Sequence, residues 1–170
     1  TSRGTPVDIC RDVAKADVRI CLGNIEFHYF AGYSGGSKAI MPGVSTRAAI
    51  QCNHSRMIQE EARAGAIQGN PIREDIDEVC ERFVPITFIV NVILDEKKRI
   101  RRCVAGHFIE AHREGCRFLD QLYKIRIPHR ADIVIVSAGG YPKDICLYQA
   151  QKALDACRHC VSPHGKILLL

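Results

Sequence analysis

The stretch Ala131-Asp132-Ile133-Val134-Ile135-Val136-Ser137 contains a continuous apolar run of four residues, and it leads to the glycine loop Gly139-Gly140-Tyr141-Pro142. Such runs are typical of parallel strands that are buried on both faces. The residues from Asp144 to about Cys160 have a helical pattern, and Lys166–Leu170 begins a second apolar strand. Strand, glycine loop, helix and strand in this order predict a βαβ unit, in which ligands bind outside the carboxyl end of the strand.

The residues before this unit predict a mixed α/β arrangement, so the whole chain is assigned to the α/β class. Thr5 and Thr46 are the expected N-caps of two helices. The basic segment Lys124–Arg130 contains Pro128 and joins two different patterns, so we place a domain boundary there, with domains over 1–125 and 126–170. Helices are expected over 6–15, 46–64, 72–83 and 106–123, and strands over 17–23, 86–94 and 99–104, the last two forming a hairpin.

Composition narrows the class of protein. The chain has 170 residues, 46% of them apolar, with 24 Lys and Arg against 19 Asp and Glu. This is the composition of a soluble globular protein, and no apolar stretch approaches the roughly 20 residues of a membrane helix. The basic residues are scattered, which argues against a nucleic-acid partner. The nine cysteines are irregularly spaced, and we interpret them as reduced thiols in a cytoplasmic protein. Because the first residue is Thr1 and the chain stops inside a strand, we expect the natural protein to be longer.

The loop Gly32-Tyr33-Ser34-Gly35-Gly36-Ser37-Lys38 is the first candidate site. Its backbone N–H groups and Lys38 suit a phosphate. The loop is not a Walker A motif, because Ser37 precedes Lys38 and Ala39 follows it. A plain loop and an anion site both remain open on this pattern alone.

His28 and His54 flank this loop on either side. Imidazole suits both proton transfer near neutral pH and metal binding. A structural role is the alternative for each residue, and the spacing does not assign the roles.

Two further groups lie near the end of the chain. Cys157 and Cys160 form a CxxC pair, which is typical of zinc or redox sites. There is no second pair to complete a tetrahedral site, so a structural role is favoured. Gln149 and Lys152 stand three residues apart on one predicted helix face. They suit a carboxylate, and an ordinary exposed helix face is the alternative.

The sequence resembles the signature of the nickel-pincer lactate racemase family. The resemblance spans essentially the whole chain, and the family's chains are well over twice as long, so these residues correspond to a central part. The blocks that carry it are GNIEFHYFAGYSGGSKAIMPG over 23–43, Gln51–His54, Gly69–Pro71, Ala105–His107, Gly139–Pro142 and Tyr148-Gln149.

The resemblance implies a cofactor and a set of site residues. The cofactor is a nickel-pincer nucleotide, the pyridinium-3-thioamide-5-thiocarboxylic acid mononucleotide with bound Ni. In this family pattern Lys38 is the covalent anchor, His54 the protein ligand of Ni, and His28 one of two catalytic histidines. The full set is cofactor-binding Lys38, Gly35 and Gly36, metal-binding His54, catalytic His28, and substrate-binding Gln149, Lys152 and, more weakly, Tyr148. Residues 1–125 would then belong to the cofactor-binding domain, and 126–170 to the start of the C-terminal domain.

The implied activity is racemisation or epimerisation of a 2-hydroxy acid, lactate or a related compound, by hydride transfer to and from the cofactor. The other catalytic histidine, an arginine and an aspartate of the family have no counterpart here, so the 170 residues alone are expected to be inactive. The implied partners are the substrate and the enzymes that make the cofactor, with no nucleic acid and no membrane. The alternative is a non-catalytic phosphate- or nucleotide-binding relative that uses the Gly32–Lys38 loop.

Overall fold

The computed structural model describes residues 1–170, which divide into two compact units, Thr1–Lys124 and Ile125–Leu170. Both contain helices packed on strands, and the predicted α/β class is confirmed. No helix of the chain is both long enough and apolar enough to cross a lipid bilayer.

A three-stranded sheet forms the centre of the first unit. Its strands are β1 (Ile20–Asn24), β4 (Phe88–Leu94) and β5 (Ile100–Gly106), in the order β1-β4-β5. β1 runs parallel to β4, and β4 runs antiparallel to β5. The turn after Asp95 joins the last two strands, so the predicted hairpin is confirmed. A small second hairpin pairs β2 (Phe27–His28) with β3 (Gly32–Tyr33).

Four helices accompany these strands. They are α1 (Arg11–Lys15), α2 (Arg47–His54), α3 (Pro71–Glu78) and α4 (Glu110–Tyr123), and a π turn over Val79–Phe83 extends α3. The side chain of Asn70 caps α3 by accepting from the N–H groups of Ile72 and Arg73. The core lies between the sheet and the helices; among its least exposed residues are Ile25, Ile72, Ile76, Ile89 and Ile93.

In the first unit, the helix predicted over 106–123 begins only at Glu110, and two other helix predictions were too long by more. The first of these two begins at Arg11 and not at residue 6, because Cys10 N–H donates to Val44 and Thr46 N–H to Asp8, which keeps residues 8–10 extended. Thr5 is not its N-cap; its hydroxyl donates to Asp75 instead.

The other overlong prediction is the helix over 46–64. Thr46 does cap it, as predicted, by accepting from Ala49 N–H. The α-helix nevertheless ends at His54 and continues only as a 3₁₀ turn over Ser55–Ile58. Met57 is 47% exposed and Ile58 89%. The apolar pattern beyond His54 therefore has no buried face to stabilise a helix.

The second unit has the predicted βαβ order, which is confirmed, but its first strand is not buried on both faces as expected, since Ile133 is 62% and Ile135 65% exposed. β6 (Ala131–Val136) and β7 (Val161–Leu169) pair in parallel, and α5 (Leu147–Cys157) lies between them in the sequence. The helix is shorter than predicted at both ends, because residues 143–145 form turns before it and Cys160 N–H donates to the carbonyl of Cys157 in a turn after it. β7 starts earlier than predicted, since Val161 already pairs with Ala131.

Candidate active site

A sharp backbone reversal joins the β2–β3 hairpin to the turn that carries Lys38. His28 on β2 pairs with Gly32 on β3. Gly35 and Gly36 then take φ values of 74° and 59°, in the left-handed region that favours glycine. A 3₁₀ turn over Gly36–Ala39 follows. The two glycines thus permit the reversal that sets the direction of the Lys38 turn.

The ring of Phe30 lies beside all three functional side chains predicted in the first unit. The ring centroids of His28 and His54 are 4.5 Å and 4.8 Å from that of Phe30, and both pairs are edge-on. Lys38 Nζ lies 5.9 Å from the same centroid, within cation–π range. Phe30 itself is 4% exposed. The structure therefore brings His28, Lys38 and His54 together around one buried aromatic ring.

Burial changes the acid–base behaviour of Lys38. Its pKa is lowered from 10.5 to about 8, first by burial and second by the positive charge of Arg73. A buried ammonium group loses hydration, which penalises the charged form. Near neutral pH the side chain therefore holds a useful fraction of neutral amine, which is the nucleophilic form.

His54 has a buried ring nitrogen that makes no hydrogen bond of normal geometry. Its Nδ1 atom is buried and has no hydrogen-bond partner. Burial, and then the charge of Lys38, lower the pKa of His54, so the ring is neutral at pH 7. A buried polar atom without a partner costs free energy. A neutral imidazole with an open nitrogen is also the form that binds a metal ion, and His54 therefore fits the role of a metal ligand.

His28 is half-buried and more constrained. Its Nδ1 accepts a hydrogen bond from the backbone N–H of Ala31 at 3.2 Å. Its ring also stacks on Tyr29 with a centroid distance of 5.3 Å. In the neutral ring this hydrogen bond places the proton on Nε2. His28 is thus oriented as a donor through Nε2 in this structure.

Two buried residues that the sequence did not indicate form hydrogen bonds with the backbone of the glycine loop. Asn91 on β4 accepts from Gly36 N–H at 2.8 Å. His112 on α4 is fully buried, and its Nε2 donates to the carbonyl of Ser34 at 2.8 Å. The pKa of His112 is lowered to about 3, first by burial and then by the charge of Arg73, so His112 is a neutral, structural histidine.

Glycine is required where these supports approach the loop. A Cβ on Gly35 would lie 2.7 Å from Asn91 Oδ1, and one on Gly36 would lie 2.9 Å from the His112 ring. Both distances are shorter than normal van der Waals contacts. The loop backbone therefore sits directly on Asn91 and His112. No signal in the sequence pointed to either residue, because each acts only through this tertiary contact.

The predicted substrate-binding residues lie on α5 of the second unit. Lys152 Nζ donates to Gln149 Oε1 at 2.6 Å, so the two side chains do share one face of the helix. Lys152 is exposed, and Gln149 is half-buried near the first turn. Tyr148 is 59% exposed. An ammonium and an amide at this separation are able to bind one carboxylate together.

The cysteines give no ready metal site. All nine are free thiols, and nowhere in the chain do three or more His, Cys, Asp or Glu side chains converge as metal ligands. Cys157 is buried, and its Sγ contacts the carbonyl of Leu154 at 3.4 Å. Any metal held by His54 would therefore need its other ligands from a bound group.

Two family models match the chain. The lactate racemase N-terminal domain matches residues 1–65, and the lactate racemase C-terminal domain matches residues 127–170. A lactate racemase of Thermoanaerobacterium thermosaccharolyticum is 36% identical over 98% of this chain and 39% of its own length. One from Lactiplantibacillus plantarum is 38% identical over 92% of this chain and 37% of its own length. The chain thus spans about two fifths of the length of these relatives.

Solved structures agree with these matches. The lactate racemase apoprotein of T. thermosaccharolyticum superposes with a TM-score of 0.90 at 36% identity, over 95% of this chain and 39% of that one. A Thermotoga maritima protein at 20% identity shares the fold, with a TM-score of 0.63 over 78% of this chain and 35% of its own. With parts of both family domains matched in order and a relative that follows it nearly from end to end, the chain belongs to the lactate racemase family.

Proposed function

We propose that this chain is part of a 2-hydroxyacid racemase or epimerase that depends on a nickel-pincer nucleotide. The observation that carries the proposal is the grouping of His28, Lys38 and His54 around Phe30. Relatives named lactate racemase support the reaction class. They lend no support to a non-catalytic phosphate-binding role. Residues 1–125 would form the later part of the cofactor-binding domain, and residues 126–170 the start of the C-terminal domain.

Three features of the first unit suit the cofactor. The partly neutral amine of Lys38 would attack the thiocarboxyl carbon of the nucleotide and form a thioamide, with the carboxyl oxygen leaving as water. Gly35 and Gly36 have no Cβ that would obstruct a nucleotide. His54 would supply one metal ligand through an imidazole nitrogen, and the remaining ligands would come from the pincer itself. When bound, the nucleotide supplies a ring carbon beside nickel that accepts and returns a hydride.

His28 would handle the proton of the substrate hydroxyl. Proton abstraction at C2 of a 2-hydroxy acid is difficult, so a route that removes the hydroxyl proton to a base is chemically easier. The Ala31 hydrogen bond places the proton of the neutral ring on Nε2. To accept a proton through Nε2, the ring must give up that contact and carry its proton on Nδ1. The proposal therefore requires a tautomer change at His28 when substrate binds.

The pair on α5 would orient the substrate. Lys152 would bind the carboxylate by charge and Gln149 by hydrogen bonds, with Tyr148 beside them. Their mutual hydrogen bond would be exchanged for bonds to the carboxylate. The chain would act in the cytoplasm, on a small 2-hydroxy acid and after the cofactor-making enzymes have loaded it, without a nucleic-acid or membrane partner.

The test uses the full-length protein coexpressed with the cofactor-making enzymes. We expect about one nickel per chain, a cofactor adduct in the intact mass, and racemisation of lactate or another 2-hydroxy acid. Lys38→Ala should remove the adduct, whereas Lys97→Ala, at an exposed turn, should leave it unchanged. Full-length protein without nickel and without adduct under these conditions would contradict the proposal.

A further inference from the structure

The guanidinium of Arg73 is buried directly beneath the start of the glycine loop. Arg73 is 0% exposed. Its Nε donates to the carbonyl of Ala31 at 3.2 Å, and its Nη2 donates to the carbonyl of Tyr33. These two carbonyls flank Gly32. One planar side chain therefore fixes two neighbouring points of the loop backbone at once.

The third nitrogen of Arg73 faces the carboxylate of Asp77, which contacts the far end of the loop. Nη1 lies 3.8 Å from Asp77 Oδ1, and that same oxygen accepts a hydrogen bond from Ser37 Oγ at 2.7 Å. Asp77 also pairs with Arg113 through its other oxygen. Ser37 immediately precedes Lys38. The Arg73–Asp77 pair thus connects the beginning of the loop with the residue before the lysine.

A role in stability alone does not explain a fully buried ion pair at this place. Apolar residues of similar volume often stabilise a core as well as a buried ion pair does. What apolar residues cannot do is bind backbone carbonyls at defined positions. Lysine in place of Arg73 would keep the charge but lose the fork that binds two carbonyls together.

We propose that Arg73 is a positioning residue that fixes the Gly32–Lys38 loop, and with it the placement of Lys38 beside Phe30. Arg73 binds the start of the loop directly, through the carbonyls of Ala31 and Tyr33. It acts on the lysine end indirectly, through Asp77 and Ser37. The part of the proposal that concerns cofactor loading rests on the proposed function. The part that concerns the loop stands on the contacts above.

The test is Arg73→Lys in the full-length protein, with two readouts on the folded, purified variant. Amide hydrogen exchange of the peptide over 31–38 should become about tenfold faster, the equivalent of one or two lost hydrogen bonds. The fraction of chains with a cofactor adduct, measured by intact mass after coexpression with the cofactor-making enzymes, should fall by at least about threefold for the same reason.

Arg19→Lys is the matched control. Arg19 also donates from its fork to backbone carbonyls, those of Val13, Ala14 and Pro85, and it donates no hydrogen bond to the glycine loop. This variant should lose stability without changing either loop exchange or the adduct. Ser37→Ala serves if Arg73→Lys does not fold, because it removes only the Asp77 hydrogen bond; it should speed loop exchange and lower the adduct in the same direction.

Two results would overturn the proposal. One is folded Arg73→Lys, or Ser37→Ala in its place, with wild-type exchange over 31–38. The other is a full adduct in a variant whose loop exchange has increased, since the loop would then not position the lysine. If the wild-type protein carries no adduct at all, the cofactor proposal fails, while the exchange data still decide whether Arg73 fixes the loop.

Discussion

Asn53 donates a hydrogen bond from Nδ2 to Asp75 Oδ2 at 2.7 Å. This bond ties α2, which ends in His54, to α3, which carries Arg73. Asp75 is fully buried and also accepts from the hydroxyl of Thr5, with Arg56 3.6 Å away. One carboxylate therefore holds the N-terminal segment, the histidine helix and α3 together.

Asp75→Asn should lower the free energy of unfolding by about 2–4 kcal/mol, because it removes the charge that faces the half-buried Arg56 and replaces one of the two acceptor oxygens that the buried donors need. Urea denaturation of the full-length protein measures the loss. The control is Glu74→Gln on the same helix, whose exposed ion pair with Arg3 should contribute less than about 1 kcal/mol. Equal losses in the two variants would show that Asp75 does not organise the unit.

Lys38 in the cofactor-free, full-length protein should react with an amine-acylating reagent with a midpoint near pH 8. Burial and the charge of Arg73 disfavour the ammonium form and lower the pKa to about 8. Neutral, reactive amine therefore accumulates well below the ordinary lysine value of 10.5. Peptide mass spectrometry after brief acetylation at several pH values measures this, with the exposed Lys97 as an internal control of reagent activity. A midpoint above pH 10 would contradict the prediction.

Replacing His54 and replacing His28 should have different effects on nickel content and on the rate. His54→Ala should lower nickel retention, with activity falling as a consequence, because it removes the unpartnered Nδ1. His28→Ala should leave nickel and the cofactor adduct in place while the rate drops by roughly 10²–10⁴, the usual contribution of a positioned acid–base group. Metal analysis, intact mass and racemisation assays of the loaded full-length protein distinguish the two variants. Loss of nickel from His28→Ala, with retention in His54→Ala, would reverse the assignment.

The double variant Cys157→Ser, Cys160→Ser should keep the nickel content and activity of the full-length enzyme near wild type. Cys157 Sγ donates a hydrogen bond within its own helix, to the carbonyl of Leu154, and no set of three metal-binding side chains converges in the chain. Zinc and nickel are measured together by mass spectrometry. Stoichiometric zinc in the wild type that disappears in the double variant would show that the pair is a metal site.

Local pattern was sufficient for the elements that bury a regular face. The run Ile86–Leu94 predicted β4, and the spacing of Ile72, Ile76 and Val79 predicted α3. The apolar run after Arg130 also predicted the βαβ unit, although β6 itself buries no regular face, with Ile133 62% and Ile135 65% exposed. Helix ends were less predictable. The helix after Thr46 ends at His54 because Met57 and Ile58 pack against no other part of the chain. Local periodicity does not show which distant segments come into contact.

The same contrast between local pattern and tertiary contact applies to the candidate site. Family resemblance named His28, Lys38 and His54, and the structure groups them around Phe30. The residues that contact the buried side of the loop were missed because their positions in the sequence suggest other roles. Arg73 and Asp77 are four residues apart on a helix, a spacing normally found between exposed residues, and Asn91 lies within an apolar strand. Only the folded chain places their polar atoms against the loop backbone.

The close contact of Gly35 with Asn91 and of Gly36 with His112 affects how other sequences of this family should be interpreted. These glycines are required by the fold, whether or not a nucleotide binds above them. A relative that had lost catalysis would still retain them, together with the partners below. The glycine signature is therefore a marker of architecture, and under the proposed function a diagnosis of activity from sequence should depend on the three side chains around Phe30.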